Sequence, residues 1–243
     1  LFDSWGTLSS TGQYRRTLSG QSASALSNGY LRYDTTWRYS DDERLLTFEG
    51  GDLVSGALPW SSSVRLGGVQ VSRDFAVRPD LVTYPLPQFA GEAAVPSSVD
   101  LFINGYKSSS ADLQPGPYTL TNVPFINGAG EAVVVTTDAL GRQVSTTVPF
   151  YVTSSLLQKG LSDFSVAAGT LRRDYGLRDF SYGPGATSGS LRYGLSDNFT
   201  LESHAEASDT LTLGGMGGNL RLGNFGVLNT ALSQSRFDGD SGQ

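Results

Sequence analysis

The run "NFTLESHAEAS", residues 198–208, carries Glu202, His204 and Glu206 at every second position. In an extended strand these three side chains share one face, about 7 Å apart per step. A histidine between two carboxylates could hold a metal ion or exchange protons. A carboxylate pair such as Glu202 and Glu206 is also what a β-rich glycoside hydrolase uses, at about 6.5–9.5 Å for inversion. Both readings demand more than the pattern offers. A metal centre needs ligands that converge from several elements, and the chain holds a single His. No aromatic sugar platform accompanies the carboxylates. The plainer alternative is a strand with one wet face. "LGGMGG" (213–218) has the glycines of a phosphate-cradling loop, but that loop must open a helix, and "NLRLGNFGVL" follows without helical period. Glycine inside a strand more often marks a bend or a close backbone approach. Asp238 and Asp240 in "FDGDSG" lack the further oxygen ligands and closing Glu of a calcium loop. No catalytic, cofactor or metal residue emerges from these motifs, and the chain is read as no enzyme.

The elements that position these residues are strands. "YLRYDTTWRYS" sets Leu31, Tyr33, Thr35, Trp37 and Tyr39 against Arg32, Asp34, Thr36 and Arg38. With residues 4–17, 44–50, 63–75, 161–173, 186–195, 198–208, 210–222 and 225–236 this makes about nine strands. Most are long, and a tilted bilayer-crossing strand needs about 9–11 residues. "LSDN" (195–198) and "LGNFG" (222–226) are tight turns, whereas 172–187 reads as a long loop. Short turns at one end and long loops at the other is the pattern of an outer-membrane barrel.

Composition agrees. Charged residues make up only 16% of 243, and glycine contributes 30, where a soluble domain has about 25% charged. The net charge of −6 opposes nucleic-acid binding, which needs a basic footprint. There is no Cys, so disulfides and thiolate metal sites are excluded. No apolar run is long enough for a transmembrane helix, which leaves a barrel open. The beginning "LFDSWG" and the polar ending "FDGDSGQ" read as cuts, so a fragment is expected.

The middle differs. Seven prolines fall between Pro85 and Pro149, and the strands shorten. Asn104-Gly105 is a type I′ hairpin signal, and Val133 to Val135 is a continuous apolar run. Residues 85–151 read as a compact β-sandwich inserted between two barrel strands, with 1–84 and 152–243 as wall.

"VPSSVDLFINGYKSSSADLQPGPYTLTNVP" followed by "GEAVVVTTDALGRQVSTTVPFY" resembles the plug domain of outer-membrane ushers, the fimbria-building pores of the chaperone–usher pathway in Gram-negative bacteria. "PGPYTLTNVP" (115–124) is similar to their PGPF-type signature, with Tyr118 where Phe is common. "RLLTFEGGDLVSGALPWSSSVRLGGVQVSRDFAVRPD" resembles the strands that lead into the plug, though "TFEGGD" departs from the R-L-G-D often found there. "SLLQKGLSDFSVAAG" and "LRYGLSDNFTLESHAEA" resemble the strands that resume the barrel.

The resemblance implies an all-β fold, a partial transmembrane antiparallel barrel with an inserted plug, in the outer membrane. It implies a pore that secretes pilin subunits delivered by a periplasmic chaperone, a platform for pilus assembly, and a plug that gates the channel. Partners would be pilin subunits, chaperone–subunit complexes and outer-membrane lipid, with no nucleic acid, cofactor or small-molecule substrate. The gating plug would include Asn104, Gly105, Pro115, Gly116, Pro117 and Tyr118. Arg78, Pro79 and Asp80 on one side, and Lys159 and Gly160 on the other, would be its tethers. Arg32, Asp34, Arg38, Glu202, His204 and Glu206 would face a water-filled lumen, while Tyr33, Trp37, Phe199 and Leu201 meet lipid. The rival class is a secreted all-β binding module or adhesin, which would need a dry core.

Overall fold

The computed structural model describes residues 5–16, 29–73, 75–121, 127–238 and 240–242. Four strands come first: β1 (Thr7–Arg15), β2 (Gly29–Asp41), β3 (Leu46–Val54) and β4 (Arg65–Arg73). The middle holds β5 (Gln88–Ala93), β6 (Ser97–Ile103), β7 (Tyr106–Leu113), β8 (Gly116–Thr121), β9 (Gly128–Asp138) and β10 (Gln143–Val152). Six more follow: β11 (Ser162–Arg172), β12 (Tyr182–Ser196), β13 (Phe199–Ser208), β14 (Leu211–Arg221), β15 (Val227–Phe237) and β16 (Asp240–Gly242).

The outer groups make one ten-stranded antiparallel sheet in the order β1-β2-β3-β4-β11-β12-β13-β14-β15-β16. β4 pairs directly with β11, so the sheet closes over the point where the middle region leaves it. The tenth strand is β16, in a stretch whose composition reads as loop; a three-residue strand is too short to show a period. β3 runs on to Val54, and β12 begins at Tyr182, which shortens the loop expected over 172–187. Residues 4 and 17 of the expected first strand, and the side chain of Asp240, lie outside the described residues.

Register gives the sheet two unlike faces. One row across it runs Ser40, Thr47, Ser72, Ser165, Ser190, His204, Gly215, Ser233. A row on the other face runs Phe164, Leu191, Ser203, Met216, Leu232. Val166, Met216 and Leu232 on this second face are 58%, 62% and 85% exposed. Small polar residues line one side and bare apolar ones the other, the reverse of a soluble sandwich.

The turns β2–β3, β12–β13 and β14–β15 lie at one end, together with both connections to the middle region. Residues 55–64 and 173–181 connect strands at the other end. The β13–β14 turn at that end is also short, so turn lengths do not alternate strictly.

Strands β5 to β10 pair only among themselves, as a four-stranded sheet β10-β9-β6-β7 and a two-stranded sheet β5-β8. Between them lies a dry core of Phe89, Val99, Leu101, Ile103, Ala132, Val134, Phe150 and Val152. The rings of Phe89 and Phe150 meet edge to face at 5.9 Å. Asn104 and Gly105 have φ of 48° and 84°, the two positive values that a type I′ hairpin requires.

Candidate functional site

Where the β3–β4 ladder ends, at Val54 opposite Arg65, the connection does not continue outward. Its neck is closed by Ser55 N–H to the Val64 carbonyl at 2.9 Å and Val64 N–H to Ser55 Oγ at 3.0 Å. Gly56 then lies against Ser165 and Ser190 of the polar face. A turn at Leu58–Ser61, held by Leu58 N–H to Ser61 Oγ at 2.8 Å, carries Trp60 across to β13 and β14. Loop 55–64 therefore crosses the inside of the sheet.

Trp60 fixes the crossing. Its indole N–H donates to Glu202 Oε2 at 2.8 Å, and its ring meets His204 edge-on at 6.2 Å. Gly215 and Gly217 provide the space: a Cβ at Gly215 would lie 2.7 Å from the indole ring, and one at Gly217 3.0 Å from its nitrogen. The "LGGMGG" glycines thus mark a close approach, here of a side chain from a distant loop.

Glu202 is buried and fully occupied. Oε1 accepts from Asn219 Nδ2 at 2.8 Å and Arg192 Nε at 3.2 Å, while Oε2 serves Trp60. Arg192 and Asn219 also both donate to the Ser155 carbonyl, at 2.7 and 3.1 Å. Ser155 belongs to the segment returning from the middle region. One carboxylate thus gathers the inward loop, two wall strands and a tether around a cleft of 700 Å³.

The returning segment is hydrogen-bonded to the ten-stranded sheet. Leu156 and Leu157 are buried, and Leu157 N–H donates to the buried Thr200 Oγ1 at 2.8 Å. Lys159 N–H meets Asp197 Oδ1 at 3.1 Å, and Gly160 N–H the Gly194 carbonyl at 2.8 Å. Gln158 holds the first tether through Thr83 and Tyr84 carbonyls, at 2.8 and 3.1 Å. In the first tether Arg78 forms a two-pronged pair with Asp80, at 2.9 and 2.7 Å. Hydrogen bonding from Arg78 holds the Asp80 carboxyl below its ordinary range. Pro79 follows the 3-10 turn at Phe75–Val77. The base of the middle unit, 86–89 and 148–150, shares a cleft with Asp197, Arg221 and Asn224 of the short turns.

The other residues singled out in the sequence separate into groups. Arg38 reaches Glu49 at 3.7 Å on the polar face. His204 Nε2 is 2.8 Å from Glu206 Oε1. Glu202 and Glu206 are two strand steps apart, about 14 Å, beyond the range for an inverting pair. Among the described residues no three His, Cys, Asp or Glu side chains converge as a metal site. Arg32 meets Asp52 at 2.6 Å, and Asp34 meets Arg65 at 3.6 Å, near the far end of the sheet. Tyr33 packs on Tyr175 of the β11–β12 loop, ring centroids 5.7 Å apart. In the middle unit, Gly116 (φ 135°) turns the chain after Pro115 and ahead of Pro117. Tyr118 packs on the core with its ring over Gly91. Asn122 to Pro124 of that signature lie outside the described residues.

Residues 50–243 match the family model described as outer membrane usher protein. The chain belongs to the outer membrane usher protein family. It is 28% identical over 173 residues to the F1 capsule-anchoring protein of Yersinia pestis, covering 71% of this chain and 20% of that protein. It is 32% identical over 157 residues to the outer membrane usher protein PefC of Salmonella typhimurium strain LT2, covering 63% and 19%. The usher chain thus spans about a fifth of the length of these relatives. A cryo-EM structure of the E. coli P pilus tip assembly intermediate PapC-PapD-PapK-PapG matches with TM-score 0.58 at 17% identity, over 94% of this chain and 27% of that one. That likeness carries the all-β fold.

Proposed function

We propose that this chain forms part of the wall and the plug of an outer-membrane usher. The whole protein secretes pilin subunits delivered as chaperone–subunit complexes and serves as the platform on which the pilus grows. The carrying observation is the two-faced sheet. Contiguous apolar patches beyond a few hundred Å² are rare on soluble monomers, yet Val166, Met216 and Leu232 stand bare on one face of long strands, the last two directly paired. Lipid suits that face and a wet lumen suits the serine row. A secreted binding module would bury one of them.

On this reading residues 1–84 and 152–243 are wall and 85–151 the plug. The plug leaves and re-enters the wall between β4 and β11, which remain paired. Movement of the plug therefore breaks no wall hydrogen bond. Arg38, Glu202, His204 and Glu206 stand on the lumenal face. Subunit–subunit strand exchange drives transport, so no nucleotide or metal chemistry is required.

The test is removal of the gate. In the full-length protein, a short Gly/Ser linker in place of 85–151 should give large, steady conductance in planar bilayers. Cells should become sensitive to antibiotics normally excluded by size. Correct insertion with unchanged conductance would show that the middle unit has another role.

A further inference from the structure

β3 keeps company with β2 only from Asp41–Leu46 to Thr36–Gly51. β2 itself continues to Gly29, still paired with β1. At Gly51, φ is 109°, and a Cβ there would collide with the Thr35 carbonyl. β3 turns away at this glycine, stays with β4 as far as Val54–Arg65, and gives way to the inward loop. Residues 29–35 of β2 are thus left without β3 alongside. β2 and β11 are three strand spacings apart, about 14 Å. A wall built this way has a notch in its side, at the end opposite the β2–β3 turn. In lipid, unpaired backbone at such an edge costs several kcal/mol per group.

The notch is filled by the β11–β12 loop, 173–181. Asp179 Oδ1 accepts the Arg32 N–H at 2.7 Å. The Phe180 ring lies 4.3 Å from the Arg32 guanidinium carbon. Tyr175 donates to Asp34 Oδ2 at 2.8 Å and carries the Arg65 guanidinium on its ring at 3.9 Å. Behind the loop, Asp52 Oδ2 accepts the Thr35 N–H at 3.0 Å, and Asp52 also bonds Arg32 and the Tyr182 hydroxyl, both at 2.6 Å. Two amides along the deserted stretch of β2 thereby meet carboxylates in place of a strand.

The loop is built for one shape. Asp174, Gly176 and Phe180 have positive φ. Ser181 Oγ donates to Asp174 Oδ2 at 2.9 Å, and Arg173 N–H to the Ser181 carbonyl at 2.8 Å. Gly67 lies directly under the Tyr182 ring and leaves room for it to reach Asp52.

We propose that residues 173–181 are a side-wall cover: they close the notch that β3 leaves beside β2 and keep lipid out of the lumen. This role is separate from the plug, which acts along the channel axis. It rests on the reading of the sheet as a membrane wall.

The test uses the full-length protein in vesicles whose phosphatidylcholine carries brominated chains. A fluorescent probe on Ser63→Cys reports from the inward loop, and one on Leu201→Cys reports from the apolar face. With the cover intact, the brominated lipid should quench the probe at 201 and spare the probe at 63. Tyr175→Ala/Asp179→Ala/Phe180→Ala should raise quenching at 63 severalfold and leave 201 unchanged. If that variant fails to insert, Asp179→Asn alone should give a smaller rise in the same direction. Unchanged quenching at 63 in an inserted cover variant overturns the proposal. Absence of quenching at 201 in the parent protein overturns the wall reading instead.

Discussion

The indole nitrogen of Trp60 donates to a buried oxygen of Glu202, 2.8 Å away and 142 residues on in the chain. Hydrogen bonds to a charged group contribute about 1.5–3 kcal/mol, so this contact is large enough to hold loop 55–64 against the wall. Trp60→Phe removes the donor and keeps the ring. Glu202→Gln keeps an acceptor for Arg192 or Asn219 but frustrates a second partner. Each should lower the heat-modifiability midpoint of the full-length protein and speed proteolysis within 55–64. The double variant should cost less than the sum, because both break one contact. Full additivity would show that the contact contributes nothing.

The adjacent glycines Gly214 and Gly215 of β14 should differ. A methyl at Gly215 would meet the Trp60 ring at 2.7 Å and the Leu232 carbonyl at 3.0 Å, whereas one at Gly214 meets nothing within 4 Å. Overpacking of this kind costs about 1–3 kcal/mol. Gly215→Ala should expose the inward loop to protease, and Gly214→Ala should leave it unchanged. Adding Trp60→Ala should relieve part of the Gly215→Ala defect, measured as recovery of the heat-modifiability midpoint.

The wall was largely legible in the sequence, because each strand face has its own solvent and alternation survives in residues 199–207. The inward loop was not. "SGALPWSSSV" (55–64) reads as ordinary connection, and only the 215/217 glycine spacing hinted that something bulky docks there. Arg32 and Asp34 share a strand face in the sequence, but their partners Asp52, Arg65 and Tyr175 come from three other segments. The tether carbonyl at Ser155 accepts from β12 and β14, and backbone acceptors leave no trace in residue type. β16 is too short to show a period. The plug's hairpin at Asn104-Gly105 was legible because turn chemistry is local.

Single cysteines should report the two faces through a membrane-impermeant thiol reagent. Positions 166, 201 and 216 should stay unlabelled in membranes, and 233 and 235 should react. Position 202 is buried beneath Trp60, so Glu202→Cys should react only once Trp60→Ala uncovers it. An arginine at Val166 should cost about 2–4 kcal/mol of barrel stability if it lies near the midplane. An arginine at the exposed Ser233 of the polar face should cost much less. Strong labelling at 201 with none at 235 would reverse the register.

The plug should be insensitive to pH until strongly acidic conditions. Asp100 accepts from Lys107 Nζ at 2.8 Å and Ser110 Oγ at 2.6 Å, and these bonds hold its carboxyl below the ordinary range. Asp138 is lowered mainly by the Arg142 N–H at 2.9 Å and further by the Arg142 side chain. A carboxylate depressed in the folded state contributes above its unfolded pKa, about 3.9. The contribution is lost as pH falls through the folded value. Hydrogen-exchange protection of the β6 and β9 core amides should therefore stay level from about pH 8 to pH 5 and fall below about pH 4. Asp100→Asn with Asp138→Asn should flatten that fall. An unchanged acid limb would assign it to other groups.

On the proposed reading of 85–151 as a plug, the bonds of the returning segment to the sheet set where it can hinge. Residues 156–160 are held by Thr200, Asp197 and Gly194 of the wall, so they belong mechanically to the barrel. Arg78, half-buried, and Asp80, exposed, bond each other in the first connection. A plug that swings therefore turns on residues before Ser155, whose carbonyl the sheet also holds, and on the stretch near 75–82. A disulfide between Lys159→Cys and Asp197→Cys joins two segments already docked, and should leave pilus assembly unchanged. A disulfide between Gln88→Cys and Asn224→Cys, across the cleft between the plug's base and the β14–β15 turn, should hold the plug at the short-turn end. If that position is the open one, conductance should rise and stay high until reductant is added. Loss of assembly from the 159–197 disulfide would mean that the second tether must leave the wall, and would move the hinge into residues 156–160.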